Sequence, residues 1–255
     1  MVEICALASG SNGNCYYIGN NEDAILIDAG INCKRILKRM KLKGLDPLKV
    51  RALFITHEHN DHVCGARVLS KKLDIPVYMT KGTYKSLYFT NQPLAVRFIE
   101  PGQPILLIPF IIHPFLKNHD ATEPTSFRVE LCGISVGIFT DIGSPSPNVT
   151  SHLCECHALF LETNYDEKML WEGSYPYHLK KRIASEVGHL SNIQAVNLLS
   201  EYAGSALRWV MLSHLSGENN TPQVAYDTLK HLETRFNIRL TSRSEPSEVI
   251  TLDIC

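Results

Sequence analysis

Hydrophobic positions in the first part of the chain come in short runs separated by glycine and asparagine. The segments VEICALAS, CYYIG and AILIDAG are apolar, strand-length and bounded by turn residues, which predicts three strands. From about Cys33 to Lys43 the period changes. Ile36, Leu37 and Met40 recur at helical spacing and should form the inner face of a helix. RALFITH reads as a buried strand, VCGARVLSKKL as a helix and PVYMT as a further strand. From Val96 to Phe139 the pattern is strand-rich again, in PILLIPFIIHPF, SFRVELC and ISVGIFTD. The second half alternates. Strand HALFLETN precedes helices across DEKMLWEG, YPYHLKKRIASEVG and SNIQAVNLLSEYAG; strand LRWVMLSH and helix TPQVAYDTLKHLETRF follow. No long linker, low-complexity tract or internal repeat interrupts the series. Strands and helices mixed in this order predict a layered α/β architecture, with sheets inside and helices outside.

Composition narrows the class. With 255 residues, 44% of them hydrophobic, the chain can bury one sizeable core, and a single domain over residues 1–255 is expected. A formal net charge of −1 gives no global basic signal for nucleic acid and no acidic tail. The apolar runs are strand-length and fall short of the ~18 residues a membrane helix needs. The opening MVEICALASG carries no basic stretch ahead of a long apolar segment, so no signal peptide is expected. Of eight cysteines only Cys154 and Cys156 are close together, and a structural C-x-C metal site would need a second such pair. Reduced thiols and a cytoplasmic location are the expectation.

The chemistry concentrates in FITHEHNDH, where His57, His59, Asp61 and His62 fall within six positions directly after an apolar strand. Side chains alternate along extended backbone, so His57 and His59 point the same way and can grip one cation. Asp61 and His62 follow as the turn begins and can reach a second. Neutral imidazoles with a carboxylate suit zinc, manganese or iron. Further ligand types stand at the ends of later strands: His119 in FLKNHDATEP, Asp141 in GIFTDIG and His214 in WVMLSHLSGENN. A carboxylate such as Asp141 can bridge two cations about 3.5–4 Å apart.

The H-x-H-x-D-H motif at His57–His62, with Asp28 before it and His119, Asp141 and His214 after it, resembles the metallo-β-lactamase superfamily. The resemblance implies an αββα sandwich, two mixed β-sheets flanked by helices, with a dinuclear site at one edge. It assigns His57, His59 and His119 to one divalent ion and Asp61, His62 and His214 to the other. Asp141 would bridge them, and Asp28 would orient a ligand. Zn²⁺ is the first expectation for both ions, with Mn²⁺ or Fe²⁺ as alternatives. The segments ASGSNGNC, HDATEP, NYDEKML, YPYHLKKRI, GHLSN and LSHLSGENN together resemble the YycJ (WalJ)-type branch over Ser9 to Asn220. Tyr165 departs from that pattern, in which Asn-His-Asp is expected in place of Asn-Tyr-Asp.

Two cations can activate a water for attack on a phosphodiester, a thioester, a lactone or a β-lactam, and fold alone does not choose among these. The discriminating stretch is LFLETN…GHLSNIQA. Glu162 and His189 resemble the carboxylate–imidazole pair of ribonuclease Z-type phosphodiesterases, in which the imidazole would act as general acid. The competing reading makes His189 a helix-capping residue and Glu162 a surface strand end. Asp61, Glu162 and His189 are therefore the candidate catalytic residues, and glyoxalase II- or lactonase-type hydrolysis is the alternative function. DNA or RNA is the expected substrate, taken in an exonuclease-like manner.

Two basic clusters bear on that substrate. Lys34, Arg35, Lys38, Arg39, Lys41 and Lys43 either track a phosphate backbone or form the solvated face of an amphipathic helix. Lys180, Lys181 and Arg182 are read as phosphate-facing. Ser9, Ser11, Asn12 and Asn14, in the loop SGSNGNC, either present groups to a phosphate or make a plain hairpin. His113, His152, His157, His178 and His231 lack the strand-end context of a ligand. Residues 142–213 leave no room for the large clamp insertion of RNA-processing relatives. Grip on long nucleic acid is then expected from surface charge or a homo-oligomer.

Overall fold

The computed structural model describes residues 1–253. The strands β1 (Val2–Ala8), β2 (Cys15–Gly19) and β3 (Ala24–Ile27) lead into helix α1 (Cys33–Leu42). Strand β4 (Val50–Phe54) is followed by a single helical turn α2 (Asn60–Val63), helix α3 (Ala66–Leu73), β5 (Val77–Met79), α4 (Lys81–Ser86) and β6 (Val96–Phe98). Then come β7 (Ile105–Leu107), β8 (Phe110–Leu116), β9 (Thr125–Leu131), β10 (Ile134–Phe139), helix α5 (Pro147–Cys154) and β11 (Ala158–Glu162). The last part holds α6 (Glu167–Glu172), α7 (Tyr177–Ile183), α8 (Asn192–Tyr202), β12 (Trp209–Ser213), α9 (Pro222–Leu229), β13 (Asn237–Leu240) and β14 (Ile250–Leu252).

The strands form two seven-stranded sheets. One runs β14-β1-β2-β3-β4-β5-β6 and the other β13-β12-β11-β10-β9-β8-β7. Each is antiparallel at one side and parallel at the other: β3 to β6 are parallel in the first, and β10 to β13 in the second. Side-chain alternation explains the layers. Along β1, Val2, Ile4 and Ala6 enter the core between the sheets, while Cys5 and Leu7 face the helices outside. Along β11, Ala158 and Phe160 point inward, and Leu159 and Leu161 outward. The inner layer closes on aromatic contacts such as Tyr16 against Phe160, with ring centroids 4.9 Å apart. Ile36, Met40 and Leu69 cover the first sheet, and Val149, Leu198 and Leu229 the second. The expected αββα sandwich of two mixed sheets is therefore what the chain forms.

Several helices start at legible signals. Ser191 caps α8 and Gln194 Oε1 accepts from the Ser191 amide, a capping box. Thr221 caps α9, with Pro222 in its first turn. No described helix is long and apolar enough to cross a membrane.

The parallel strands matter most for position. β3, β4, β10, β11 and β12 all end at one edge of the sandwich, where crevices of open α/β sheets lie. Asp28, the histidine cluster, Asp141, Glu162 and His214 stand at those five ends.

Candidate metal centre

Three residues at the strand ends adopt a left-handed backbone: Asp28 (φ 61°), Asp141 (φ 55°) and His214 (φ 55°). A non-glycine residue rarely takes this conformation, and functional sites are where such strain collects. Here it ends each strand abruptly and turns the side chain across the edge of the sheet. The loop after β3 must also pass close to the histidine loop. Gly30 donates to the Asn14 carbonyl, and a Cβ there would lie 1.5 Å from the Asp61 carbonyl oxygen, so no other residue fits.

The ring nitrogens converge. His57 Nε2 lies 3.1 Å from His59 Nδ1, which lies 3.3 Å from His119 Nε2. On the other side, His62 Nε2 is 3.2 Å from Asp141 Oδ2 and 3.6 Å from Asp61 Oδ2. His214 Nε2 is 3.5 Å from Asp141 Oδ1 and 3.7 Å from Asp61 Oδ2. Ligand atoms within 4.8 Å of one another form four sets: His57/His59/His119, His57/His62/Asp141, Asp61/His62/His214, and Asp141/Glu162/His189/His214.

The residues fit a pair of divalent cations on three independent observations. Asp141 Oδ2 and His214 Nε2 are buried and make no hydrogen bond, although buried polar atoms are ordinarily paired. The histidines also have their other ring nitrogens held from behind. His57 Nδ1 meets Thr56 Oγ1 at 2.9 Å, and His62 Nδ1 meets Asp28 Oδ2 at 2.7 Å. His119 Nδ1 donates to the Gly188 carbonyl at 3.1 Å, and His214 Nδ1 meets Glu162 Oε1 at 2.8 Å. Such outer partners fix the ring and leave the inward nitrogen as ligand. Third, the protonation balance is that of a site waiting for positive charge. Burial lowers His214, but Asp141, Asp61 and Glu162 outweigh it and push its pKa up to about 10. Burial opposes ionisation of Asp141 too, yet His214 and His62 hold its carboxyl well below the usual range. Burial keeps His57 well below its ordinary value and brings His119 to about 4, so both are neutral imidazoles.

Glu162 is the hinge between this cluster and His189. Its Oε1 meets His189 Nδ1 at 2.9 Å as well as His214 Nδ1, and its Oε2 accepts the amides of Ile142 (2.7 Å) and Leu190 (3.1 Å). Burial would raise its pKa, but the charge and hydrogen bond of His189 and the hydrogen bond of His214 draw it down to about 2. Glu162 is fully buried, so it is no surface strand end, and Ser191 rather than His189 caps α8. His189 is 3.7 Å from Asp141 Oδ1 and stays partly exposed in a cavity of about 340 Å³ above the cluster. Ser11, Asn60 and Arg182 complete the rim of that cavity.

Other expected residues lie elsewhere. Lys180 is buried, with Nζ bonded to the carbonyls of Trp171 (2.8 Å) and Gly173 (2.7 Å), so it ties down the α6–α7 loop instead of facing a phosphate. Lys181 sits over the Tyr177 ring at 5.7 Å, on the surface, and lines no part of the cavity. Arg182 does line it, paired with Asp120. Ser9 and Asn14 are buried in the scaffold. Ser9 Oγ accepts from the His214 amide at 2.8 Å, and Asn14 Nδ2 reaches His62 Nε2 at 3.1 Å. They position ligands and do not face solvent, whereas Ser11 and Asn12 are exposed. In the first basic cluster Arg39 is buried and bonds the carbonyls of Leu7 (2.7 Å) and Ser244, so that residue is no phosphate contact. Tyr165 is buried and bridges to Ser191.

Three contributors carry no motif in the sequence. Lys117 is fully buried and donates to the Thr140 carbonyl at 2.7 Å, holding the end of β10 just before Asp141. Thr56 gives its amide (2.8 Å) and its hydroxyl (2.9 Å) to Asp28. Asn164 Nδ2 donates to the His214 carbonyl at 2.9 Å. The one available cue was a lysine two residues before His119, directly behind an apolar strand.

The metallo-beta-lactamase superfamily profile matches residues 8–143, more than half of the chain. The chain belongs to the metallo-beta-lactamase superfamily. It is 33% identical to exodeoxyribonuclease YycJ of Bacillus anthracis over 222 residues, 86% of this chain and 84% of that protein. It is 32% identical to exodeoxyribonuclease WalJ of Streptococcus pneumoniae over 228 residues, 88% of this chain and 85% of that protein. Within the superfamily this places it in the YycJ/WalJ-type branch. The fold alone is shared with the crystal structure of YhfI from Bacillus subtilis, at a TM-score of 0.73, 17% identity and coverage of 97% of this chain and 100% of that one.

Proposed function

We propose that this chain is a metal-dependent exonuclease acting on DNA. The observation that carries the reading is the Glu162–His189 pair beside Asp141: an imidazole held from behind by a buried carboxylate and lining an open cavity. The thiolate leaving group of a thioester needs no such proton donor, whereas the strongly basic alkoxide of a sugar does. The names of the YycJ and WalJ relatives support the same substrate class.

In this reading His57, His59 and His119 would hold one cation and Asp61, His62 and His214 the other, with Asp141 within reach of both groups. Zinc suits this nitrogen-rich donor set. Bound cations would supply Lewis-acid stabilisation of the phosphoryl oxygens and an activated water. The chain's own residues do the rest. Asp61, the more exposed carboxylate, accepts a hydrogen bond from the attacking water and orients it. Glu162 accepts the Nδ1 proton of His189 and so presents Nε2 to the leaving oxygen. His189 then gives that oxygen a proton. Glu162 is a positioning residue, since its oxygens are spent on two imidazoles and two amides. Arg182 and Ser11 frame the phosphate at the rim.

Residues 142–213 are spent on α5 to α8, β11 and β12, which supports a single catalytic unit over residues 1–255 with no inserted clamp. The described cysteines are all free, in keeping with a reducing cytoplasm. The test uses metal-reconstituted protein and a DNA strand labelled at one end, then at the other. Mononucleotides should appear first from one terminus, and a chelator should stop their release. Cleavage beginning at internal positions would contradict the exonuclease reading.

A further inference from the structure

One further cavity adjoins the catalytic one and another adjoins that, so that shared residues join the three in series into a trough. The catalytic cavity of about 340 Å³ and the next, of about 370 Å³, have Ser11, Asn60 and Asp61 in common. The second cavity and a third, of about 180 Å³, share Arg35. The floor of the second is the loop Gly30–Asn32, which enters α1. Lys38 lines the third.

On the α1 side of this path stand Arg35, Lys38 and the buried Arg39. Among the described residues, Arg35 and Lys38 have no carboxylate within ion-pair distance, while Arg35 is close enough to the buried Arg39 to lower its pKa along with burial. Asp61 and Glu245 also line the trough. Asp61 is committed to the metal cluster, and Glu245 stands at the far end beside Arg39. Arg35 and Lys38 lie three residues apart on α1, about 4.5 Å along its axis, within the reach that consecutive backbone phosphates demand. The first turn of α1 holds no acidic residue, so the positive end of its dipole adds to the same field. The other rim is held by Arg243, which donates to Ser11 Oγ at 2.9 Å and to the Leu215 carbonyl at 3.0 Å.

We infer that this trough is the path of the substrate strand: the polynucleotide strand being cleaved leaves the reacting phosphate over Ser11 and Asn60 and lays its next phosphates on Arg35 and Lys38. This rests on the phosphodiesterase reading above and extends it to a binding path. Part of the basic run in the sequence is then a phosphate track (Arg35, Lys38), part a structural strut (Arg39) and part solvated surface.

The experiment compares wild type, the double variant Arg35→Ala/Lys38→Ala, and Lys34→Ala, an exposed neighbour on α1 that lines none of the three cavities. The readout is KM for a single-stranded 12-mer, measured as a function of salt. The double variant should raise KM at least about tenfold at low salt and flatten the slope of log(kcat/KM) against log[salt] by about 1.4, two contacts at ~0.7 each. Lys34→Ala should move neither by more than a small general charge effect. Equal changes in the double variant and Lys34→Ala, scaled for charge, would overturn the trough and leave the nuclease reading intact. So would a 12-mer cleaved by the double variant with unaltered KM. A wild-type protein that neither binds nor cleaves the 12-mer, while turning over a thioester or lactone, would overturn the nuclease reading and the trough with it.

Discussion

Asp141→Asn should abolish hydrolysis and bring bound metal below two ions per chain. Asp141 is buried, stands 3.2 Å from His62 and 3.5 Å from His214, and is the carboxylate common to both halves of the cluster. An amide there keeps the shape and tolerates the positive φ, which alanine would do only at about 1–2 kcal/mol. What it removes is the negative charge that both cations would share. Bound cations contribute several kcal/mol of transition-state stabilisation, so the rate should drop by about 10³-fold or more. Elemental analysis checks the first half of this expectation, and a thermal unfolding curve checks that the fold survives. Two ions per chain in the variant would rule out a shared carboxylate.

His189→Ala should leave metal content and folding nearly unchanged while slowing hydrolysis of DNA by about 10²–10⁴-fold, the usual contribution of a general acid. Retention of metal follows from the geometry. Glu162 keeps its bonds to His214, Ile142 and Leu190 when His189 is gone, so the ligand His214 stays in place. The deficit should be largest on a nucleotide alkoxide and small on bis-p-nitrophenyl phosphate, whose leaving group needs no proton. A part of the loss can fall in KM if the imidazole also touches the phosphate. Equal loss on both substrates at unchanged KM would sink the general-acid role. Loss of a metal ion would instead make His189 a ligand, since it also lies within the Asp141/Glu162/His214 set.

The site was legible where ligand chemistry is local. A plain polar loop seldom gathers three histidines and an aspartate within six residues, and His119, Asp141 and His214 stood out because each ends an apolar run. A layered arrangement with sheets inside and helices outside followed from strand-length periodicity, the two-sheet sandwich followed from the family resemblance, and neither gave the strand order. β14 pairs with β1 across the whole length of the chain, and no local pattern encodes that. Helix α5 hides in SPSPNVT, where Ser and Pro read as a turn although they act as N-cap and first-turn residue. Strand β13 hides directly behind the helical pattern that ends at Phe236. Charged and small polar residues were the least legible. Lys180 and Arg39 look like phosphate contacts, yet backbone carbonyls satisfy both, those of Trp171 and Gly173 for Lys180 and that of Leu7 in β1 for Arg39. Ser9 and Asn14 look like a binding loop, yet their partners are Tyr16, His214 and His62. In each case the deciding hydrogen bond is one that only the fold supplies.

The most direct test of phosphodiester chemistry at this cluster is a comparison of kcat/KM across substrate classes with one batch of metal-reconstituted protein. The set is single-stranded DNA, double-stranded DNA, RNA, bis-p-nitrophenyl phosphate, a glutathione thioester, a lactone and nitrocefin. Turnover of the phosphodiesters is expected, with DNA foremost, and none of the thioester, lactone or β-lactam beyond background. Turnover of the thioester or lactone with inert phosphodiesters would contradict a phosphodiesterase site.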